Sequence, residues 1–213
     1  MTALKYTTAV TINLVTVATL QRGLDLLGLR WRPAPTDAIP DDERGLYGWV
    51  IGRGADSGTG LLNRAVAYVG VGMGDGGLLR RLRDERSWVG QDATHGHGRA
   101  MFLLQGEAVG GACIQDPGAD LSWLDGTITA DGYRKLVDWL TADPLSPAEK
   151  AERLCVRMAL HIGDIAPPVN SQYAGVWNSN DAWDWGGWAV AARLRAESAP
   201  SDPAAPRTVM PAG

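Results

Sequence analysis

Phenylalanine occurs once in these 213 residues, lysine three times and cysteine twice. Cys113 and Cys155 have no Cys-x-x-Cys partner, which excludes a disulfide framework or a cysteine-rich zinc site. Both read as small buried hydrophobes, a usage that fits a reducing cytoplasm. The apolar stretch Ala9 to Leu20 is too short for a membrane span and carries Asn13 and three threonines. Lys5 precedes it, but no clear small-x-small cleavage site follows, so it reads as part of the fold and no membrane partner is expected. Positive charge is also in short supply: 20 basic residues against 24 acidic ones leave a net charge of -4. That balance excludes a protein that clings to any nucleic acid through charge alone.

Arginine, tryptophan and glycine are abundant instead: 17 of the 20 basic residues are Arg, and there are nine Trp and 27 Gly. The length and the 45% apolar share suit one globular domain with decorations. Residues 1–30 are ambiguous between an alternating strand and a helical stripe. Pro33, Pro35 and the acidic run Asp41-Asp42-Glu43 read as a linker. Strands are expected at 46–51, 65–71 and 100–105, and a short basic helix at 78–85. A helix is expected over 131–140. Ser146-Pro147-Ala148-Glu149 gives a second helix a capping box with Pro at its first position, ending near 161–163. Residues 198–213 are rich in Pro and Ala without apolar period and read as a mobile tail.

Four separated pieces carry the chemistry. Gly45-Leu46-Tyr47 opens the first strand and Tyr68-Val69-Gly70 closes the second. Leu78-x-x-Arg81-Leu82 opens the basic helix. Glu152 lies in the capped helix, followed by Pro167-Pro168-Val169-Asn170-Ser171. In this order the pieces resemble the GIY-YIG nuclease superfamily, with GLY for GIY and YVG for YIG. The resemblance covers about residues 45–171, with an insertion at about 84–130 that contributes nothing specific. Residues 1–44 and a Trp-rich segment at 172–197 fall outside it as extensions. The intervals from Tyr47 to Tyr68, from Tyr68 to Arg81 and from Glu152 to Asn170 are longer than usual, with the surplus in loops.

The resemblance implies an α+β fold: a small, mainly antiparallel three-stranded sheet flanked by helices. It also implies a Mg²⁺- or Mn²⁺-dependent endonuclease acting on DNA, RNA remaining open, that leaves 5′-phosphate and 3′-hydroxyl ends. Tyr47 would serve as general base, Tyr68 would orient water or phosphate, Arg81 would hold phosphate, Glu152 would bind the metal and Asn170 would brace the site. The residue types fit those tasks. Glu152 is a hard oxygen ligand, about 60° around the helix from Cys155 at ~100° per residue, on the shoulder of the buried stripe. Arg81 carries a planar fork that stays charged at any working pH.

Charge is unevenly spread: residues 44–83 hold six Arg against Asp56 and Asp75, whereas 103–151 hold eight acids against three bases. Arg64, Arg80 and Arg83 are therefore expected phosphate contacts. His97, beside His95 in a loop, is a further candidate near the phosphate. Two alternatives stand beside this reading. One is a non-catalytic nucleic-acid-binding module of the same fold. The other is a nucleotide-binding enzyme using Gly72-Met73-Gly74-Asp75-Gly76-Gly77, which satisfies G-x-G-x-x-G between a strand and a helix; an antiparallel pairing of the first two strands would eliminate it. Trp177, Trp183, Trp185 and Trp188 read either as a lid packed on the core or as a base-stacking surface, the lid being favoured.

Overall fold

The computed structural model describes residues 14–29, 31, 33–34, 39–50, 60–88, 100–104, 120–142 and 144–199. The chain is α+β. Among the described residues, four strands, β1 (Pro33–Ala34), β2 (Gly45–Val50), β3 (Val66–Gly72) and β4 (Ala100–Leu104), form one sheet in the order β1-β4-β2-β3. Every pairing is antiparallel. The strand absent from the sequence expectation is β1, a two-residue edge inside the segment read as a linker. Proline is tolerated there because an edge strand can leave one N–H position empty.

Central β2 is buried along its whole length, as expected of a strand covered on both faces. Leu46 and Val50 on one face join Val66 and Val69 in the main core. Tyr47 and Trp49 on the other face join Leu78, Leu82 and Ile39 in a second cluster. The register slips between Trp49 and Val50, so Tyr68 faces Trp49 while Val66 faces Val50 and Ala67 is bulged.

Among the described residues, five helices flank the sheet: α1 (Val17–Leu26), α2 (Gly77–Trp88), α3 (Ala130–Ala142), α4 (Pro147–Gly163) and α5 (Ala182–Ser198). The ambiguity at the N-terminus resolves as a helix because Thr16 caps it, its side chain accepting the Thr19 N–H. The capping box of α4 is formed: Ser146 Oγ accepts the Glu149 N–H, and Glu149 Oε2 accepts the Ser146 N–H. Asp164 ends α4 in the left-handed conformation at φ 62°. The buried Lys150 on α4 donates from Nζ to the Leu140 carbonyl near the end of α3, at 2.8 Å. That contact gives the ammonium one acceptor and a carbonyl near the helix end its donor.

Residues of α1, α3, α4 and α5 fill the main core against the sheet, so the segments expected as terminal extensions share one interior with β2 and β3. Helices α4 and α5 touch through Gly187, where a Cβ would lie 2.7 Å from the Arg157 carbonyl carbon. A buried ion pair locks the same crossing. Arg157 Nε donates to Asp184 Oδ1 at 2.8 Å, and Asp184 also accepts the Asn178 N–H at 2.8 Å. Of the four tryptophans read as a lid, Trp183, Trp185 and Trp188 pack on the core, whereas Trp177 is 41% exposed. Of the expected tail, Ser198 closes α5 and residues 200–213 lie outside the described residues. Cys155 is buried in α4, whereas Cys113 lies outside the described residues. No helix among the described residues is long and apolar enough to cross a membrane.

Candidate functional site

The register of β2 on β3 builds the site. Tyr47 stands opposite Gly70, and Tyr68 opposite Trp49, so both tyrosines project from the same face. Their ring centroids are 6.0 Å apart. A Cβ at Gly70 would lie 2.6 Å from the Tyr47 hydroxyl and 2.8 Å from the Tyr68 ring. The glycine of Tyr68-Val69-Gly70 thus leaves the gap in which the two side chains meet, a physical reason for that residue in the motif.

Helix α2 crosses this face, with Leu78 and Leu82 seated on it. Arg81 and Glu85, one turn apart, flank the Tyr47 hydroxyl. Arg81 Nε donates to that hydroxyl at 3.2 Å and lies 3.1 Å from Glu85 Oε1. The hydroxyl itself donates to Glu85 Oε1. Trp49 Nε1 donates to the other carboxylate oxygen at 2.5 Å. Glu85 is only 1% exposed, so it is a buried carboxylate held on both oxygens. Burial, then the charge of Glu85, raises the Tyr47 phenol far above its usual value. Burial would lower the Arg81 guanidinium, but Tyr47 and Glu85 hold it above its usual value.

Tyr68, Arg81, Glu152 and Asn170 line one cleft of about 360 Å³ beside β3, with Val71, Val169, Ser171 and Gln172. Tyr47 lies beneath it. At 0% exposed, it is reached from the cleft through Tyr68, to which it is hydrogen-bonded. The sequence expectation of Tyr47 acting on water directly does not match this placement. Burial raises the Tyr68 phenol too, with Glu85 adding to the effect and the hydrogen bond to Tyr47 opposing it.

Glu152 reaches the cleft from α4. Burial pushes its carboxyl up to about 7, against the opposing pull of Arg153 and Arg81. Among the described residues, no three metal-ligating side chains converge on one point. Glu152 nevertheless fits a hard divalent cation. It is a half-buried carboxylate on the cleft wall, and Mg²⁺ accepts one carboxylate with several waters. Asn170 reaches the cleft through the Pro167-Pro168 turn, and its amide bonds both the N–H and the carbonyl of Val69 on the outer edge of β3. Beside it, Val169 N–H donates to the Ala67 carbonyl at 3.0 Å.

The other candidates are dispersed. Arg80 lines an adjoining groove of about 510 Å³ with Arg81, Asp75, Asp84 and the glycine loop. Arg83 is exposed on α2, and Arg64 precedes β3, its carbonyl accepting the Val17 N–H. His97 lies outside the described residues. The glycine loop is not a dinucleotide cradle. Its strand is paired antiparallel with β2, and the N–H groups of Gly77, Leu78 and Arg80 already donate to the carbonyls of Gly74, Glu43 and Gly76.

Glu85 was not among the sequence candidates. A signal existed: Leu78, Leu82 and Glu85 share one helical stripe, which puts a carboxylate where an apolar residue is expected. No family model, curated protein or solved structure matches this chain.

Proposed function

We propose that the chain is a metal-dependent endonuclease that hydrolyses phosphodiester bonds in nucleic acid, DNA in the first instance, through a GIY-YIG-type site. The observation that carries this reading is the convergence of Tyr68, Arg81, Glu152 and Asn170, from four separate segments, on one cleft. Phosphodiester hydrolysis requires a nucleophilic water, neutralised phosphate charge and a stabilised leaving oxygen. Arg81 supplies a fixed positive charge at the cleft wall and binds phosphate there. Tyr68 orients the attacking water and receives its proton. Asn170 holds β3, and with it Tyr68, in place. Glu152 would hold Mg²⁺ or Mn²⁺, which when bound would supply Lewis-acid stabilisation of the phosphate and of the leaving oxygen. The resemblance supports products with 5′-phosphate and 3′-hydroxyl ends and a GIY-YIG core made of β2, β3 and β4 with α2 and α4.

Supercoiled plasmid incubated with the purified protein and Mg²⁺ is expected to be nicked and then linearised. EDTA and Glu152→Ala are each expected to abolish that cleavage. Cleavage that persists in Glu152→Ala would overturn the site assignment. Binding of DNA without cleavage under any divalent metal would favour the non-catalytic module.

A further inference from the structure

Glu85 is the least explained group in the site. A buried carboxylate is expensive unless its charge is matched, and a leucine in its place would complete the stripe of Leu78 and Leu82. Its two oxygens instead collect the Tyr47 hydroxyl, Arg81 Nε and Trp49 Nε1. Tyr47 is in turn bonded to Tyr68, the only one of the two tyrosines that lines the cleft. Tyr68, Tyr47 and Glu85 thus lead inward from the cleft, with the two tyrosine rings 6.0 Å apart and the Tyr47 hydroxyl donating to Glu85.

We propose that Glu85 is the terminal proton acceptor of this line, taking the proton of the attacking water by way of Tyr68 and Tyr47. This rests on the nuclease reading of the cleft. As the water oxygen bonds to phosphorus, its O–H bond breaks and the proton passes to the Tyr68 oxygen. The Tyr68 proton moves to Tyr47, and the Tyr47 proton moves to Oε1 of Glu85. The bond from phosphorus to the leaving 3′ oxygen breaks, and that oxygen takes a proton from solvent in the open cleft. The hydroxide so formed is neutralised when Glu85 returns its proton along the same path.

The direction of transfer follows from the surroundings. Oε1 of Glu85 already accepts the hydrogen bond of the Tyr47 hydroxyl, so that proton points along the path. After transfer, Tyr68 carries the water proton and Tyr47 the proton that came from Tyr68, so both phenols end neutral and Glu85 alone has gained a proton. Arg81 faces Tyr47 and Glu85 at once and steadies the moving charge.

Three variants test this on the full chain: Glu85→Gln, which keeps the shape and one of the two acceptor oxygens but cannot accept the proton, Tyr47→Phe, which breaks the line, and both together. In single-turnover plasmid cleavage, each single change is expected to lower the rate by about 100-fold or more with substrate affinity unchanged. The double variant is expected to be no worse than either single one, because both interrupt one path. An unchanged rate in Glu85→Gln, or losses that multiply in the double variant, would overturn the relay and leave the nuclease reading standing.

A second readout needs no substrate. Titration of Tyr68 by ultraviolet tyrosinate absorbance is expected to shift to lower pH in Glu85→Gln, because the charge of Glu85 raises that phenol. An unshifted titration would overturn the connectivity. If this shift occurs but wild-type protein cleaves no nucleic acid, the nuclease reading and the relay's place in it are both overturned.

Discussion

Asn170 pairs with Val69 as a neighbouring strand would. Its Oδ1 accepts the Val69 N–H at 2.9 Å and its Nδ2 donates to the Val69 carbonyl at 2.8 Å. With Val169 bonded to Ala67, the turn after α4 covers the outer edge of β3 at the residues flanking Tyr68. The amide is thus a positioning device, one residue away from the side chain it positions.

Replacing it should loosen the cleft before it unfolds the protein. Asn170→Ala removes two hydrogen bonds at a half-buried edge and is expected to lower stability by about 1–3 kcal/mol in denaturant unfolding. Asn170→Asp keeps the acceptor for the Val69 N–H but opposes one carboxylate oxygen to the Val69 carbonyl, and is expected to be at least as damaging. A stability change under about 0.5 kcal/mol in both variants would contradict this role.

Gly70 marks where the two tyrosines meet. Gly70→Ala places a methyl 2.6 Å from the Tyr47 hydroxyl and is expected to destabilise by about 1–3 kcal/mol while lowering cleavage sharply. Gly74→Ala is the control, because nothing lies within 4 Å of a Cβ there. Thermal unfolding of the two variants should separate them by several degrees.

Glu152 ties stability to pH. Its carboxyl is raised from 4.5 to about 7 in the folded protein, so between those values the folded state binds more protons than the unfolded one. Stability contributed by the protonated form is complete below about 4.5 and is lost as pH rises through about 7. Glu152→Gln should abolish that loss. In metal-free buffer at pH 8 the variant is expected to be more stable than wild type by up to about 3 kcal/mol, and the two should converge at pH 4. Mg²⁺ is expected to stabilise wild type and not the variant. Urea unfolding at the two pH values, with and without the metal, measures each of these.

The segment that follows the cleft is held by Asp184. Burial would raise its carboxyl, but His161, the Asn178 N–H and Arg157 hold it below its usual value. Its contribution is therefore present above about 4 and is lost as pH falls through the lowered value. Asp184→Asn leaves Arg157 buried without its counter-ion and is expected to cost about 3–5 kcal/mol in chemical unfolding.

Local chemistry was readable from the residues, and distant pairing was not. Ser146, Pro147 and Glu149 specify the start of α4 among themselves, so that helix could be bounded from four adjacent residues. The strands at β2 and β3 announce themselves by apolar content, and the motif glycine by its neighbour Tyr68. The burial of Glu85 depends on Tyr47 and Trp49, 38 and 36 positions away, and no local pattern specifies a hydrogen bond across that distance. The lock between Arg157 and Asp184 spans 27 positions and was equally hidden. Strand β1 exists only through its pairing with β4, since two residues have no periodicity of their own. The N-terminal stretch fits both periods, and its helix was decided by the Thr16 cap.

The most direct measurement of the central claim is cleavage in water enriched in heavy oxygen, with the products' termini analysed by mass spectrometry. One-step hydrolysis at this cleft is expected to place a single heavy oxygen on each new 5′-phosphate, with Mg²⁺ required and both cleavage and label lost in Glu152→Ala. Absence of cleavage, heavy oxygen recovered on the 3′ side, or labelled product formed equally well by Glu152→Ala would contradict the account.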